Sequence, residues 1–271
     1  MNKIKKGDIV GRNSYNKDII FIVKNTKDKK KILLEGLFER IVADSDINDL
    51  VLIDKSVIDF EKNTRENKIC IQENRLINNG TNGTILHLDG DKRYSEKSLK
   101  YYRRMGINAI VRNIPENKQP FYVYNLLKYY NPDILVITGH DGMFMKEKRK
   151  YDIFNYRNSK YFVQTVKEAR RYERDYNKNL VIFAGACQSF YEALIESGAN
   201  FASSPARILI DILDPLIVAK TIATTDEYEF INMDDIEHEL RDGKKGIDGI
   251  GARREKKIKD KRFEFEYYLK K

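Results

Sequence analysis

Two cysteines, three histidines and no long apolar run set the first limits on this 271-residue chain. Cys70 and Cys187 are too few for a disulfide framework or a cysteine-rich zinc site, which points to a reducing, cytoplasmic setting. His87, His140 and His238 are too few for a histidine-rich centre, so neither a metal nor a cofactor is expected. No apolar stretch nears the roughly 18 residues of a membrane span, so no membrane contact is expected. The start, MNKIKKGDIV, is charged but lacks the apolar core of a secretory signal. No Gly-rich phosphate loop opens a helix, and no RRM, KH or zinc-finger signature is present.

What is present suffices for a packed core: 41% of residues are hydrophobic and 11% aromatic, which excludes wholesale disorder. The length suggests one large or two modest domains. Of the net charge of +9, residues 241–271 supply +6, from 12 Lys and Arg against 6 Asp and Glu. Arg253, Arg254, Lys256, Lys257, Lys259, Lys261 and Arg262 form a basic tail. It can contact nucleic acid or an acidic surface, or simply solvate the chain end.

The chain divides by rhythm. Residues 1–60 carry short apolar runs between charged turns and read as a small SH3-like β-barrel. Residues 61–82 are polar, rich in Asn and Gly, and read as a linker. Residues 83–225 alternate strand and helix, with strands at 84–89, 108–113, 133–139, 179–185 and 200–203. The crossover helices are expected near 94–105, 118–130, 159–177 and 188–197, and a long one over 206–222. Apolar, β-branched strands joined by helices predict a doubly wound, mainly parallel α/β sheet. Residues 226–271 form a C-terminal extension ending in the basic tail. Function belongs at the C-terminal ends of the strands.

Three strand ends carry chemistry: Asp89-Gly90-Asp91, Thr138-Gly139-His140-Asp141-Gly142, and Gly185-Ala186-Cys187-Gln188-Ser189. His140 and Cys187 stand 47 residues apart, one crossover helix, so they fall on neighbouring strand ends. An adjacent imidazole and a helix beginning just after Cys187 would both favour the reactive thiolate. Backbone N–H groups of Gly142 and Cys187 could hold a tetrahedral oxyanion. Either residue alone is commonplace, since a cysteine at a strand end is usually a small buried hydrophobe. The pair, each flanked by small residues, reads as a thiol acyl-transfer site. Cys70, His87 and His238 lack such context. The charged segment 146–150 reads as an exposed loop beside the site and a place where the enzyme could cut itself.

These strand ends resemble the caspase–legumain–gingipain clan of cysteine peptidases, in which one apolar strand leads to His-Gly and the next to Ala-Cys or Gly-Cys. Here the segments are VITGHDG and VIFAGACQS, with Asp141 inserted before Gly142. Within that clan the chain resembles the YabG family of sporulation-specific cysteine peptidases. The resemblance rests on GDIVGRNSYNKDIIF, LHLDGDKRYSEKSLKYYRRMGINAIVRN, PDILVITGHDGM, LVIFAGACQS and ANFASSPARILIDILDPLIVA, over most of residues 7–219. It implies a caspase-like fold and an endopeptidase with His140 and Cys187 as its catalytic pair. It also implies spore coat or cortex-associated proteins as substrates, met in the mother cell or the forming coat.

Two rivals bound this reading. Asp89-Gly90-Asp91 matches the Asp-x-Asp of haloacid-dehalogenase-like phosphotransferases, but the fourth strand ends without the carboxylate that their Mg²⁺ needs. A non-enzymatic adaptor for nucleic acid or spore-coat assembly, using barrel and tail, is the alternative. If the first α/β strand lies beside the third, Asp89 and Asp91 face His140 within about 10 Å, two strand spacings. A carboxylate at the base of a narrow pocket selects a guanidinium. In the clan this region helps build the pocket for the residue before the cut, so the resemblance implies cleavage after Arg, with Asp89 or Asp91 at the pocket base and Ser203 and Ser204 along its wall.

Overall fold

A computed structural model describes residues 4–28, 30–73, 83–144 and 149–254. The expectations for the basic tail beyond Arg254 and for residues 146–148 lie outside the described residues, as does the side chain of Cys70.

The first strands are β1 (Ile9–Arg12), β2 (Phe21–Asn25), β3 (Ile32–Gly36), β4 (Val42–Ser45) and β5 (Leu50–Leu52). They form one antiparallel sheet in the order β4-β3-β2-β1-β5. Among the described residues no pairing joins β4 to β5, so the expected barrel is an open sheet. The reason lies in its apolar face. Val10, Phe21, Ile32, Leu34 and Ile41 pack in one cluster with Cys187 and Ile210 of the α/β unit. Loops from outside the sheet cover what a closing strand would cover. The following segment, which the sequence reads as a linker, contains α1 (Lys55–Glu73).

The second sheet contains β6 (Ile85–Asp89), β7 (Ala109–Asn113), β8 (Ile134–Thr138), β9 (Val181–Ala184), β10 (Phe201–Ser203) and β11 (Ile247–Gly249). Its order is β11-β10-β9-β8-β6-β7. All pairings are parallel except the edge pair β10–β11. Every residue of β6, β8 and β9 is buried, as a sheet covered on both faces requires. Helices α2 (Lys92–Arg104) and α6 (Asp214–Thr224) cover one face through Tyr94, Tyr101, Tyr102, Leu216 and Ile217. Helices α3 (Gln119–Tyr130), α4 (Ser159–Tyr176) and α5 (Tyr191–Glu196) cover the other, through Val123, Leu127, Phe162, Val166 and Leu194.

Two expectations need correction. The long helix over 206–222 begins only at Asp214, because Pro215 fits the first helical turn and nothing further in. Residues 204–213 instead run as a loop past Cys187, with Ile210 N–H 3.4 Å from its sulfur. Helix α5 begins at Tyr191, four residues after Cys187, so Cys187 does not sit on a helix N-terminus. β6 does lie between β7 and β8, which sets the switch point of the sheet between the ends of β6 and β8.

Candidate active site

His140 leaves the end of β8 and Cys187 the end of β9, on adjacent parallel strands. No hydrogen bond or ion pair joins them. The backbone of Arg40 and Ile41, from the turn between β3 and β4, passes between the two loops. Ile41 pairs with Asp141 as an isolated bridge. The Arg40 carbonyl accepts the Asp141 N–H at 3.2 Å, and Val42 N–H donates to the Asp141 carbonyl at 2.8 Å. On the other side, Ile41 packs in one cluster with Cys187, whose thiol burial raises, with the Arg40 N–H a small pull in the opposite direction. Gly36 permits this turn, since a Cβ there would stand 2.1 Å from the Glu39 carbonyl. Gly142 permits the approach of Val42, whose carbonyl would lie 2.3 Å from a Cβ.

The Arg40 side chain runs into the protein and is 1% exposed. Its Nη2 meets Asp89 Oδ2 at 2.7 Å, its Nη1 the Ile212 carbonyl at 3.3 Å, and its guanidinium lies 5.0 Å from the Tyr94 ring centre. Asp89 is fully buried and fixed from below. Thr138 Oγ1 donates to Oδ2 at 2.9 Å, and Asp91 N–H donates to Oδ1 at 2.9 Å. His87 Nε2 in turn lies 2.7 Å from Thr138 Oγ1, and its Nδ1 lies 3.2 Å from the Tyr102 hydroxyl. His87 has no place in catalysis by sequence context, yet it sits beneath this carboxylate.

Asp91 points elsewhere. It caps α2 through Arg93 N–H at 2.7 Å and faces His140 Nε2 at 3.8 Å. Burial opposes its ionisation, but Arg93 and His140 hold its carboxyl below the usual range. Glu35 Oε1 lies 4.0 Å from the same Nε2. Glu35, Asp91 and His140 offer three donor atoms within 4.8 Å of one another. Lys24 and Arg93 already pair with these two carboxylates, so their charge is largely spent before any cation arrives.

His140 is 3% exposed and its Nε2 has no hydrogen-bond partner. Its N–H donates to Glu116 Oε1 at 2.7 Å, and its carbonyl accepts Asn158 Nδ2 at 2.7 Å. Burial pushes the imidazole down to about 4, against the pull of Asp91 and Asp89. Burial pushes the Cys187 thiol up to about 12, against hydrogen bonding from Ile210. Both groups are therefore neutral in this arrangement, rather than the thiolate–imidazolium pair that the sequence suggests.

Gly142 N–H donates to the Asp141 carboxylate at 2.9 Å. Asp141 N–H donates to the Arg40 carbonyl instead. The Asp141 carboxylate also accepts Asn158 N–H, Ser159 Oγ and Ser189 Oγ, while Ser189 Oγ accepts Ala186 N–H. One buried carboxylate thus ties the His140 loop to the Cys187 loop. Gln188, next to Cys187, has φ +55, and Ser204 has φ +65. Left-handed non-glycine residues of this kind collect at functional loops. Ser204 Oγ accepts Gln188 N–H and donates to the Ile208 carbonyl, so it braces the Cys187 loop rather than the Arg40 guanidinium. Ser203 is fully buried on β10 and its Oγ has no partner.

A cleft beside this arrangement holds about 550 Å³ and is lined by Glu35, Asp91, Arg93, Glu116, His140 and Arg157, among others. The mainly parallel sheet with these loops at its strand ends is consistent with a caspase-like core. A family model described as YabG peptidase U57 matches residues 5–259. The chain is also 37% identical over 275 residues to the sporulation-specific protease YabG of Bacillus subtilis (strain 168), covering 91% of this chain and 94% of that one. No solved structure matches. The chain belongs to the YabG peptidase family and is a hydrolase acting on peptide bonds. Among the described residues no helix is long and apolar enough to cross a membrane.

Proposed function

We propose that this chain is a cysteine endopeptidase that uses Cys187 and His140 and cuts after arginine. The observation that carries the reading is the seat of Arg40. Its guanidinium rests on buried Asp89, its carbonyl on the Asp141 N–H, and its N–H beside the Cys187 sulfur. A substrate arginine in the same seat presents its carbonyl carbon to the thiol. Cys187 gives its proton to His140 as it attacks, and the Asp141 N–H supports the developing oxyanion. The Nε2 side of His140 faces Asp91 and Glu35, which leaves Nδ1 to receive that proton and pass it to the leaving amine. Water then hydrolyses the thioester. Asp141 and Glu116 position the two loops and touch no reacting atom.

Asp89 is the arginine-selecting carboxylate, and Asp91 acts on His140. The chain divides into residues 1–60, which carry Arg40, a linker over 61–82, a peptidase unit over 83–225, and an extension over 226–271 in which Ile247–Gly249 closes the sheet edge. Spore coat or cortex-associated proteins are the proposed substrates, consistent with the sporulation-specific relative. The mother cell or forming coat is the proposed location. The test is to alkylate the protein with an arginyl acyloxymethyl ketone and map the modified residue. Labelling of Cys187 that an aspartyl analogue does not produce supports the reading. Labelling elsewhere, or activity retained in folded Cys187→Ala, rejects it.

A further inference from the structure

We infer that the Arg40–Ile41 peptide bond is a self-cleavage site, cut by Cys187 of the same chain. The inference rests on the cysteine-peptidase reading above and adds to it a particular bond. Arg40 is almost wholly buried, which an arginine tolerates only when paired, and its partner is Asp89 across the two sheets. Its guanidinium is held by groups from outside the small N-terminal sheet. Asp89, the Ile212 carbonyl and the Tyr94 ring, which hold the side chain, belong to the α/β unit. The residues after it continue as an extended peptide across the His140 side. Val42 pairs with Asp141, the Arg157 Nε donates to the Val42 carbonyl at 3.1 Å, and Arg157 pairs with Asp44. Side-chain pocket, oxyanion donor and extended downstream chain are thus filled together by one stretch, residues 40–44. A surface turn that merely plugged the cleft would need only one of the three.

The chemistry balances with water alone. The Cys187 sulfur bonds to the Arg40 carbonyl carbon and its proton moves to His140. The carbon–nitrogen bond to Ile41 breaks, and His140 returns the proton to the Ile41 nitrogen. Water adds to the thioester, releasing an Arg40 carboxyl terminus and the thiol. The products are residues 1–40 and 41–271. They stay associated, because β3 of the first fragment pairs with β4 of the second, and β1 pairs with β5. The intact chain seats its own arginine on Asp89, so it turns over external peptides only after the cut.

The experiment is intact-mass and N-terminal analysis of the purified full chain over time, at several dilutions, beside Cys187→Ala, Arg40→Lys and Arg40→Gln. Wild type should convert to fragments 1–40 and 41–271 at a rate independent of concentration. Cys187→Ala should stay whole, Arg40→Lys should cut at least tenfold more slowly, and Arg40→Gln should not cut there. Cleavage of an arginyl fluorogenic peptide, measured in parallel, should rise with the appearance of the Ile41 terminus. An uncut chain that hydrolyses the peptide at once overturns the self-cleavage and spares the function. A chain that does neither overturns both. A Cys187-dependent cut elsewhere, in the 146–150 segment for example, or a rate that scales with concentration, overturns the intramolecular site.

Discussion

Asp89→Asn is the perturbation that reads the arginine pocket most directly. The substitution keeps the shape of the side chain and an oxygen for the Asp91 N–H, and puts an amide NH2 where Oδ2 accepts the Thr138 hydroxyl and the guanidinium. It removes the charge that meets a guanidinium at 2.7 Å in a site where both side chains are at most 1% exposed. Stranding one partner of a buried, hydrogen-bonded pair costs about 2–5 kcal/mol. An arginine substrate should therefore lose roughly 2–4 kcal/mol in kcat/KM, which is about 30- to 900-fold at 1.36 kcal/mol per decade. A matched glutamine peptide should change by less than about threefold, since it brings no charge to strand. Asp91→Asn should behave differently. Its carboxylate faces Arg93 and His140, so all substrates should slow together. The assay is kcat/KM for Arg, Lys, Gln, Asn and Asp at the position before the cut, in otherwise identical fluorogenic peptides. Equal loss on Arg and Gln peptides in Asp89→Asn would refute the pocket, as would a wild-type preference for Asn or Asp. A double-mutant cycle of Arg40→Met and Asp89→Asn in the Cys187→Ala background gives the same contact as stability. Denaturant unfolding should return a coupling of about 1.5 kcal/mol or more, and a value near zero would contradict the buried pair.

Four further outcomes follow. Cys187→Ala and His140→Ala should each abolish peptide hydrolysis with near-native circular dichroism, and the double variant should be no worse than either, because paired groups act as a unit. EDTA should leave the rate unchanged, whereas iodoacetamide should stop it, slowly in the uncut chain because Cys187 is buried and burial holds its thiol up at about 12. Gly139→Ala would set a Cβ 2.4 Å from Glu116 Oε1 and push that carboxylate off the His140 N–H, so kcat should fall, by up to about 100-fold if the imidazole shifts by 1 Å, with the melting temperature little changed. Glu116 has its carboxyl raised from 4.5 to about 7 by burial, so the unfolded chain sheds this proton first. Stability should fall as pH rises from about 4.5 to 7, by at most about 3 kcal/mol and less where water reaches the carboxyl, and Glu116→Gln should flatten that slope in a urea series.

Much of this architecture is written in local pattern. The runs ILHLD, ILVIT and VIFA are apolar throughout and bounded by Gly or Asp, so their strands, and the loops that follow them, fall where periodicity puts them. Pairing of the first and third α/β strands follows from the usual winding of such sheets, and it brings Asp89 level with Thr138. The edge strand β11 escaped notice because Ile247–Gly249 is three residues long, with no alternation to read. The 206–222 stretch looks helical by apolar spacing until Pro215 is given its due, and the loop before it is what reaches Cys187. Hardest to see were the partners contributed from far along the chain. Glu116 follows a proline in an ordinary polar turn, yet Gly90 and Gly139 are bare because its carboxylate lies against them. Asp141 reads as an insertion that spoils a His-Gly motif. In the fold it supplies the N–H that faces Arg40 and the carboxylate that gathers Gly142, Asn158, Ser159 and Ser189. Arg40 gives no local signal at all. Its meaning depends on Asp89, 49 residues later, and on Cys187, which only the folded chain brings to it. Strand patterns are properties of neighbours in sequence. The seat of Arg40 is a property of groups that meet only after two sheets have packed, so the sequence can place Asp89 at a strand end without revealing the buried arginine that pairs with it.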